Sequence, residues 1–159
     1  MYRRSILSIF AITAFGLALM PCNAVAQQAA DIEGVKAASK AFYVALAVID
    51  NGTAMEKVWA NKPYVTYVGP FSKSVTVGSD ALKKMWEANN KLTEKRNISL
   101  AGAHIHSNGN LAWEIGVETG ESKRKDSPAN NTPNIVTNVY EKTDGRWLMV
   151  SHHAQRVPQ

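Results

Sequence analysis

The chain has 159 residues, 45% of them hydrophobic and 19% charged, with a formal net charge of +5. That length suits one domain with one core, and the basic excess is modest and scattered, which speaks against a nucleic-acid surface. The one cysteine, Cys22, lies close to the N-terminus.

Arg3 and Arg4, an apolar stretch from Ile6 to Met20, and the small-residue sequence Ala24-Val25-Ala26 before Gln27 form the pattern of a secretory signal peptide. A transmembrane anchor needs about 20 consecutive apolar residues, and Pro21, Cys22 and Asn23 interrupt this run. The expected cut follows Ala26, leaving residues 27–159 as a single domain. Lipid attachment at Cys22 is disfavoured, because Pro21 stands where such a site carries a small residue. Removing 26 of the 159 residues leaves 133, with a charge of +3 and no cysteine. A disulfide, a thiol nucleophile and a thiolate metal site are then excluded. The expectation is an exported protein, periplasmic or secreted, with no membrane contact after cleavage.

From Ala30 to Ile49 the residues Ile32, Val35, Ala38, Phe42, Ala45, Leu46 and Ile49 recur at helical spacing, which predicts a long amphipathic helix ended by Asp50-Asn51-Gly52. Asp50 there reads as a capping residue. Thr53 is placed to cap a short helix carrying Met55, Val58 and Trp59, closed by Lys62-Pro63. Tyr64 to Val68 reads as a strand, Gly69-Pro70 as a turn, and Ser74 to Val77 as a second short strand. Ser79 then caps a third helix, Asp80 to Asn90, with Leu82, Met85 and Trp86 on its apolar side.

The remainder reads as strands at Asn97 to His106, Leu111 to Thr119, Ile135 to Lys142 and Trp147 to Gln155. Ser107-Asn108-Gly109 and Thr143-Asp144-Gly145 are tight turns, so these neighbours pair antiparallel. The stretch from Gly120 to Asn134, with Lys123, Arg124 and Lys125, reads as a long solvated loop. Helices first and a meander afterwards predict an α+β fold, a curved antiparallel sheet wrapped round about three N-terminal helices as a cone-shaped barrel. Trp147 and Met149 alternate with Leu148, Val150 and Ala154 along the last strand, and Trp113, Ile115 and Val117 share a face of another. Apolar groups on both sides of a sheet require cover on both; helices cover one, and a second subunit is expected on the other.

The order of helices, Tyr64-Val65-Thr66-Tyr67-Val68-Gly69-Pro70, the Gly78-Ser79-Asp80 start with Met85-Trp86, the segment Asn110 to Glu114, and the closing Gly145-Arg146-Trp147 to Ser151-His152-His153 strand resemble the SnoaL-like group of the nuclear transport factor 2 superfamily, from about Asp31 to Arg156. The resemblance implies a cone with an apolar cavity, often in a dimer. It implies no single reaction, because the fold serves isomerases, dehydratases, cyclases, hydrolases and assembly modules. Overlaid on the ketosteroid isomerase branch, Tyr43 matches the oxyanion tyrosine. Tyr67 and Thr137 stand where that branch has its two carboxyls, so isomerisation by that mechanism is not expected. The overlay implies a cavity lined by Tyr43, Tyr67, Trp86, Trp113, Ile115, Val117, Thr137, Val150 and His152. Glu114 and Glu118 then fall on the convex face, at a dimer seam or in solvent, since carboxylates are rarely left buried and unpaired.

His152 is the leading candidate for acid or base work, because imidazole titrates near neutrality; the alternative is a pocket histidine that only hydrogen-bonds. His153 points the other way. His104 and His106 share a face, but spacing of two with no third ligand is a weak metal signal. No metal and no cofactor are expected: serine-elbow, phosphate-loop and dinucleotide motifs do not occur in the sequence. Trp59, Trp86, Trp113 and Trp147, with Tyr43, Tyr64 and Tyr67, supply groups suited to lining an apolar cavity with polar tips.

The functional expectation is a domain that binds an apolar or aromatic small molecule as a homodimer. Lyase- or isomerase-type acid/base chemistry would come from His152, Tyr67 and Tyr43, with Trp86, Trp113, Ile115, Val117, Thr137 and Val150 contacting the ligand. The alternative is a non-catalytic dimeric assembly module.

Overall fold

The structure is a computed structural model that describes residues 20–131 and 133–158. Arg3, Arg4 and most of the expected leader lie outside the described residues, and the expected cut after Ala26 falls within the first helix.

The elements in chain order are helix α1 (Met20–Ala47), helix α2 (Gly52–Val58), strands β1 (Thr66–Val68) and β2 (Thr76–Val77), helix α3 (Ser79–Leu92), and strands β3 (Thr93–Asn108), β4 (Leu111–Arg124), β5 (Asn134–Thr143) and β6 (Arg146–Arg156). The sheet has six strands in the order β2-β1-β6-β5-β4-β3. All its pairs are antiparallel except β1 with β6, which run parallel. The sheet is therefore mixed, curled over the helices but not closed, and the α+β class stands.

Spacing accounts for the helices. Val35, Phe42, Ala45 and Leu46 on α1 are buried against the sheet, with Ser39 and Tyr43 on the same side. Along α3, Leu82 and Trp86 are buried and Met85 packs beside them. Both expected side-chain caps need correcting: Asn51 and Gly78 hold the N-cap positions of α2 and α3, and neither makes a side-chain cap bond. Asn51 is instead fully buried, its Oδ1 accepting from Asn90 Nδ2 at 2.9 Å, which ties α3 to the α1–α2 junction.

The expected loop at Gly120 to Asn134 is strand in its first third and begins only after Arg124. β4 continues through Arg124, paired with β3 as far as Thr93, and Lys123 meets Glu94 at 2.6 Å. Gly120, at φ 128°, is required here, because a Cβ would run into the carbonyl of Asn97. The two tight turns are as expected, with Gly109, Asp144 and Gly145 at positive φ.

The sheet's two faces differ from the sequence reading. On β4 the inner row is Ala112, Glu114, Gly116, Glu118 and Gly120, while Leu111, Trp113, Ile115 and Val117 are exposed. In β6 a register shift opposite Val139 and Tyr140 leaves Val150 as an extra residue. That bulge changes the alternation, so Trp147, Met149, Val150, His152 and Ala154 are all buried.

One ion pair fastens α1 to the sheet. Asp31, 4% exposed, accepts from Lys142 Nζ at 2.7 Å and from Gln27 Nε2 at 3.0 Å. The Lys142 hydrogen bond holds the Asp31 carboxyl below its usual range, against the opposing effect of burial. A depressed carboxylate stabilises the fold above its unfolded pKa, and that contribution is lost as the pH falls through the folded value. Asp31→Asn is therefore expected to lower the urea midpoint at pH 7, with the difference from wild type closing as the pH falls below about 4. Urea titrations at pH 7 and pH 3 check this.

Candidate functional site

Strand register assembles the site. One rung runs across the inner face from Tyr67 on β1 to His152 on β6, Asn138 on β5 and Glu114 on β4. A second places Glu118 opposite Asn134. From the helix layer, α1 lays Phe42 and Tyr43 over these rungs. The His152 ring is held between Tyr67, stacked at 5.1 Å and 13°, and Phe42 at 5.3 Å.

The polar groups form a buried network. Asn138 Nδ2 donates to Glu114 Oε2 at 3.0 Å, which also accepts from the Tyr140 hydroxyl at 2.9 Å. With its amide nitrogen directed there, Asn138 turns Oδ1 to His152 Nδ1 at 2.8 Å. The ring must therefore carry its proton on Nδ1, which leaves the Nε2 lone pair facing Glu118 Oε1 at 3.9 Å. Glu118 is held from behind by the Tyr43 hydroxyl, which donates to Oε1 at 3.1 Å, and by Asn134 Nδ2 at 3.4 Å.

Burial sets the protonation states. Desolvation pulls the His152 imidazole down to about 3, with His153 adding a smaller push the same way, so the ring is neutral at pH 7 and the Glu118 contact is not an ion pair. Desolvation also raises the Glu118 carboxyl above its ordinary range, partly offset by the bonds from Tyr43 and Asn134. The Tyr67 hydroxyl is pushed up to about 12, by burial first and the Glu118 charge second. Tyr43 is raised further by the same two causes. Both phenols thus stay protonated. A neutral imidazole with an open lone pair lies next to a carboxyl inclined to keep its proton, and the imidazole gains basicity only as that carboxyl ionises beside it.

These groups lie at the floor of a recess of about 290 Å³ between α1, α3 and the far end of the sheet, with Phe42, Leu46, Met85, Trp86 and Ile98 as apolar walls. Tyr67, Trp86 and His152 line it. Tyr43 stands one hydrogen bond behind, through Glu118, and Val150 is in the core. Trp113, Ile115 and Val117 lie on the opposite, outer face of the sheet with Thr137, which pairs with Ile115. Their expected place in the lining is corrected.

Glu114 and Glu118 are the residues that sequence reasoning placed on the wrong side. The signal available was the row Ala112, Glu114, Gly116, Glu118 and Gly120, in which small residues alternate with acidic ones, since glycine within a strand marks a close approach of another chain segment. Among the described residues no group of three or more His, Cys, Asp or Glu is arranged to hold a metal ion. His104 and His106 are exposed on the outer face, His106 tilted on Trp113 at 4.3 Å.

The pattern of the SnoaL-like domain family matches residues 35–157. The chain belongs to that family. Its fold is similar to that of a candidate dehydratase of the nuclear transport factor 2-like family from Streptomyces avermitilis, with a TM-score of 0.72 and 22% identity over 83% of this chain and 99% of that one. It is similar also to a candidate calcium/calmodulin-dependent protein kinase II association domain from Xanthomonas campestris (TM-score 0.66, 22% identity, 79% and 86% covered). A candidate scytalone dehydratase from Novosphingobium aromaticivorans gives 0.70 and 12% identity, with 81% and 85% covered. No curated protein matches the chain. At these identities the SnoaL-like domain shares a fold with its neighbours, and the argument for chemistry rests on its own residues.

Stability should report the two protonation states. The folded His152 pKa lies below its unfolded value of 6.5. Its contribution is full above that pH and falls as the pH drops toward 3, by up to about 1.4 kcal/mol per pH unit. Glu118 acts oppositely: its raised pKa contributes in full below the unfolded value of 4.5 and is lost as the pH rises through the folded one. His152→Asn should therefore flatten the decline of the urea midpoint between pH 6.5 and pH 4, and Glu118→Gln should steepen it. Profiles that neither variant alters would contradict the assignment.

Proposed function

We propose that this SnoaL-like domain is an exported small-molecule-binding protein that carries out lyase- or isomerase-type acid/base chemistry in its recess. His152 Nε2 acts as the base and the Glu118 carboxyl as the acid. The observation that carries the reading is the tautomer-fixed, uncharged His152 with its lone pair toward a protonation-prone carboxyl, in a recess with apolar walls.

In a dehydration, the Nε2 lone pair takes a proton from a carbon acid while Glu118 gives its proton to the departing hydroxyl, which leaves as water. In an isomerisation the proton taken at one carbon is returned at another. Asn138 keeps His152 in the productive tautomer, and Tyr43 and Asn134 steady the Glu118 carboxylate once its proton has gone. The dehydratase descriptions of two structural neighbours accord with this reaction class. Export follows from the leader pattern in residues 1–26.

Purified protein is offered a panel of cyclic β-hydroxy ketones and β-hydroxy acids, and loss of water is followed by mass spectrometry. For a substrate that turns over, His152→Asn and Glu118→Gln should each lower kcat about 10² to 10⁴-fold. The urea midpoint of each variant at pH 7 separates a loss of chemistry from a loss of folding. Undiminished turnover in either variant would sink the assigned roles.

The outer face supports a second element of the reading, a homodimer. Leu111, Trp113, Ile115, Val117 and Ile135 are 37% to 49% exposed and adjacent across β4 and β5, a contiguous apolar stripe of the kind that marks an interface. Sedimentation at micromolar concentration should give a dimer for wild type and a folded monomer for Trp113→Asp with Ile115→Asp. A wild-type monomer would remove this element.

A further inference from the structure

The mouth of the recess has a charge character that the acid/base reading does not use. Arg96 reaches into it from β3, its Nη1 donating to the Leu46 carbonyl at 3.2 Å and its Nη2 to Thr93 Oγ1 at 2.9 Å. The guanidinium lies 5.6 Å from the Trp86 ring centroid. Two anchoring bonds and an aromatic platform fix its plane while leaving further N–H donors of the five available. Arg124 lines the same recess from β4.

Among the described residues neither guanidinium is in an ion pair, and Lys123 at this rim is paired with Glu94. Among the described residues, the only carboxyl in the lining is Glu118, at the floor. Burial is the main cost to the Arg96 charge, and the like charge of Arg124 adds to it. Two close, unneutralised cations over an apolar-walled recess form an arrangement that an anion would relieve. The Tyr67 hydroxyl senses both Glu118 and Arg96, so the cationic mouth and the acid/base floor are within the reach of one small molecule.

We propose that the recess takes a small organic carboxylate, its anionic group held by Arg96 and Arg124 and its apolar or aromatic body against Phe42, Leu46, Met85 and Trp86. The inference deepens the reading of this site as a small-molecule pocket and rests on it for the site's existence, but not for its chemistry. The carboxylate is the handle by which the ligand is oriented, and the reacting carbon lies beyond it toward His152. A bound anion also opposes ionisation of Glu118, which keeps the acid in its proton-bearing form when the pocket is filled.

Isothermal titration of the purified protein with benzoate, its neutral isostere benzamide, and inorganic phosphate tests the proposal without any need for turnover. Benzoate should bind about tenfold or more tightly than either of the others, and added salt should weaken benzoate but not benzamide. Arg96→Gln and Arg124→Gln should each weaken benzoate about five- to twentyfold and leave benzamide unchanged. Arg124 is exposed, so its variant folds even if loss of the Arg96 anchors loosens β3. Equal binding of benzamide, phosphate as tight as benzoate, benzoate binding indifferent to Arg124→Gln, or no binding of any probe would each overturn it. Benzoate binding with no turnover anywhere in the hydroxy-ketone panel would sink the acid/base reading and leave this one standing. Turnover of β-hydroxy acids with both arginine variants at wild-type kcat and KM would do the reverse.

Discussion

Glu114 and Glu118 are buried on the inner face of β4, 1% and 4% exposed, and the arrangement around them follows from the cost of placing carboxyls where water cannot reach. An unpaired buried polar group costs about 1–3 kcal/mol, and a charged one more. Glu114 is met by Asn138 and Tyr140, and Glu118 by Tyr43 and Asn134. Each partner is then committed. Asn138 has one orientation that serves Glu114, and that orientation dictates where the His152 proton sits. The chemistry offered by the recess is thus a consequence of satisfying two carboxyls.

The same constraint explains the two faces of the sheet. With the inner row of β4 given to small and acidic residues, its large apolar residues have only the outer face, where the described chain provides no cover. A bulge at Val150 lets β6 escape that choice and bury both Met149 and His152 on the inner side. β4 has no such device along Leu111 to Val117, so its alternation stays strict and its hydrophobic row faces out.

Periodicity in the sequence was sufficient for the helices, the hairpin turns and the α+β class, because each rests on local spacing: Val35, Phe42 and Leu46 on one helix face, or Asp144-Gly145 at a turn. The faces were not legible. Alternation tells which residues of a strand lie together but not which way they point, and the assumption that apolar residues face the core reversed β4. The overlay that identified Tyr43, Tyr67 and His152 carried the same reversal, so Trp113, Ile115 and Val117 entered the lining and Glu118 left it. Arg96 was invisible for another reason. Its strand begins directly after α3, at Thr93, and a single arginine among lysines gives no sign that it turns inward onto Trp86.

The central claim is that Asn138, fixed by Glu114, holds His152 neutral with its proton on Nδ1 and its Nε2 lone pair toward Glu118. Nitrogen-15 NMR of the His152 ring reads this directly, because protonated and lone-pair nitrogens of imidazole have well-separated shifts. The account predicts a neutral ring from pH 8 to pH 5, with Nδ1 of the protonated type and Nε2 of the lone-pair type, and with Asn138→Leu abolishing that preference. A ring that titrates near pH 6.5, or one that carries its proton on Nε2, would contradict it.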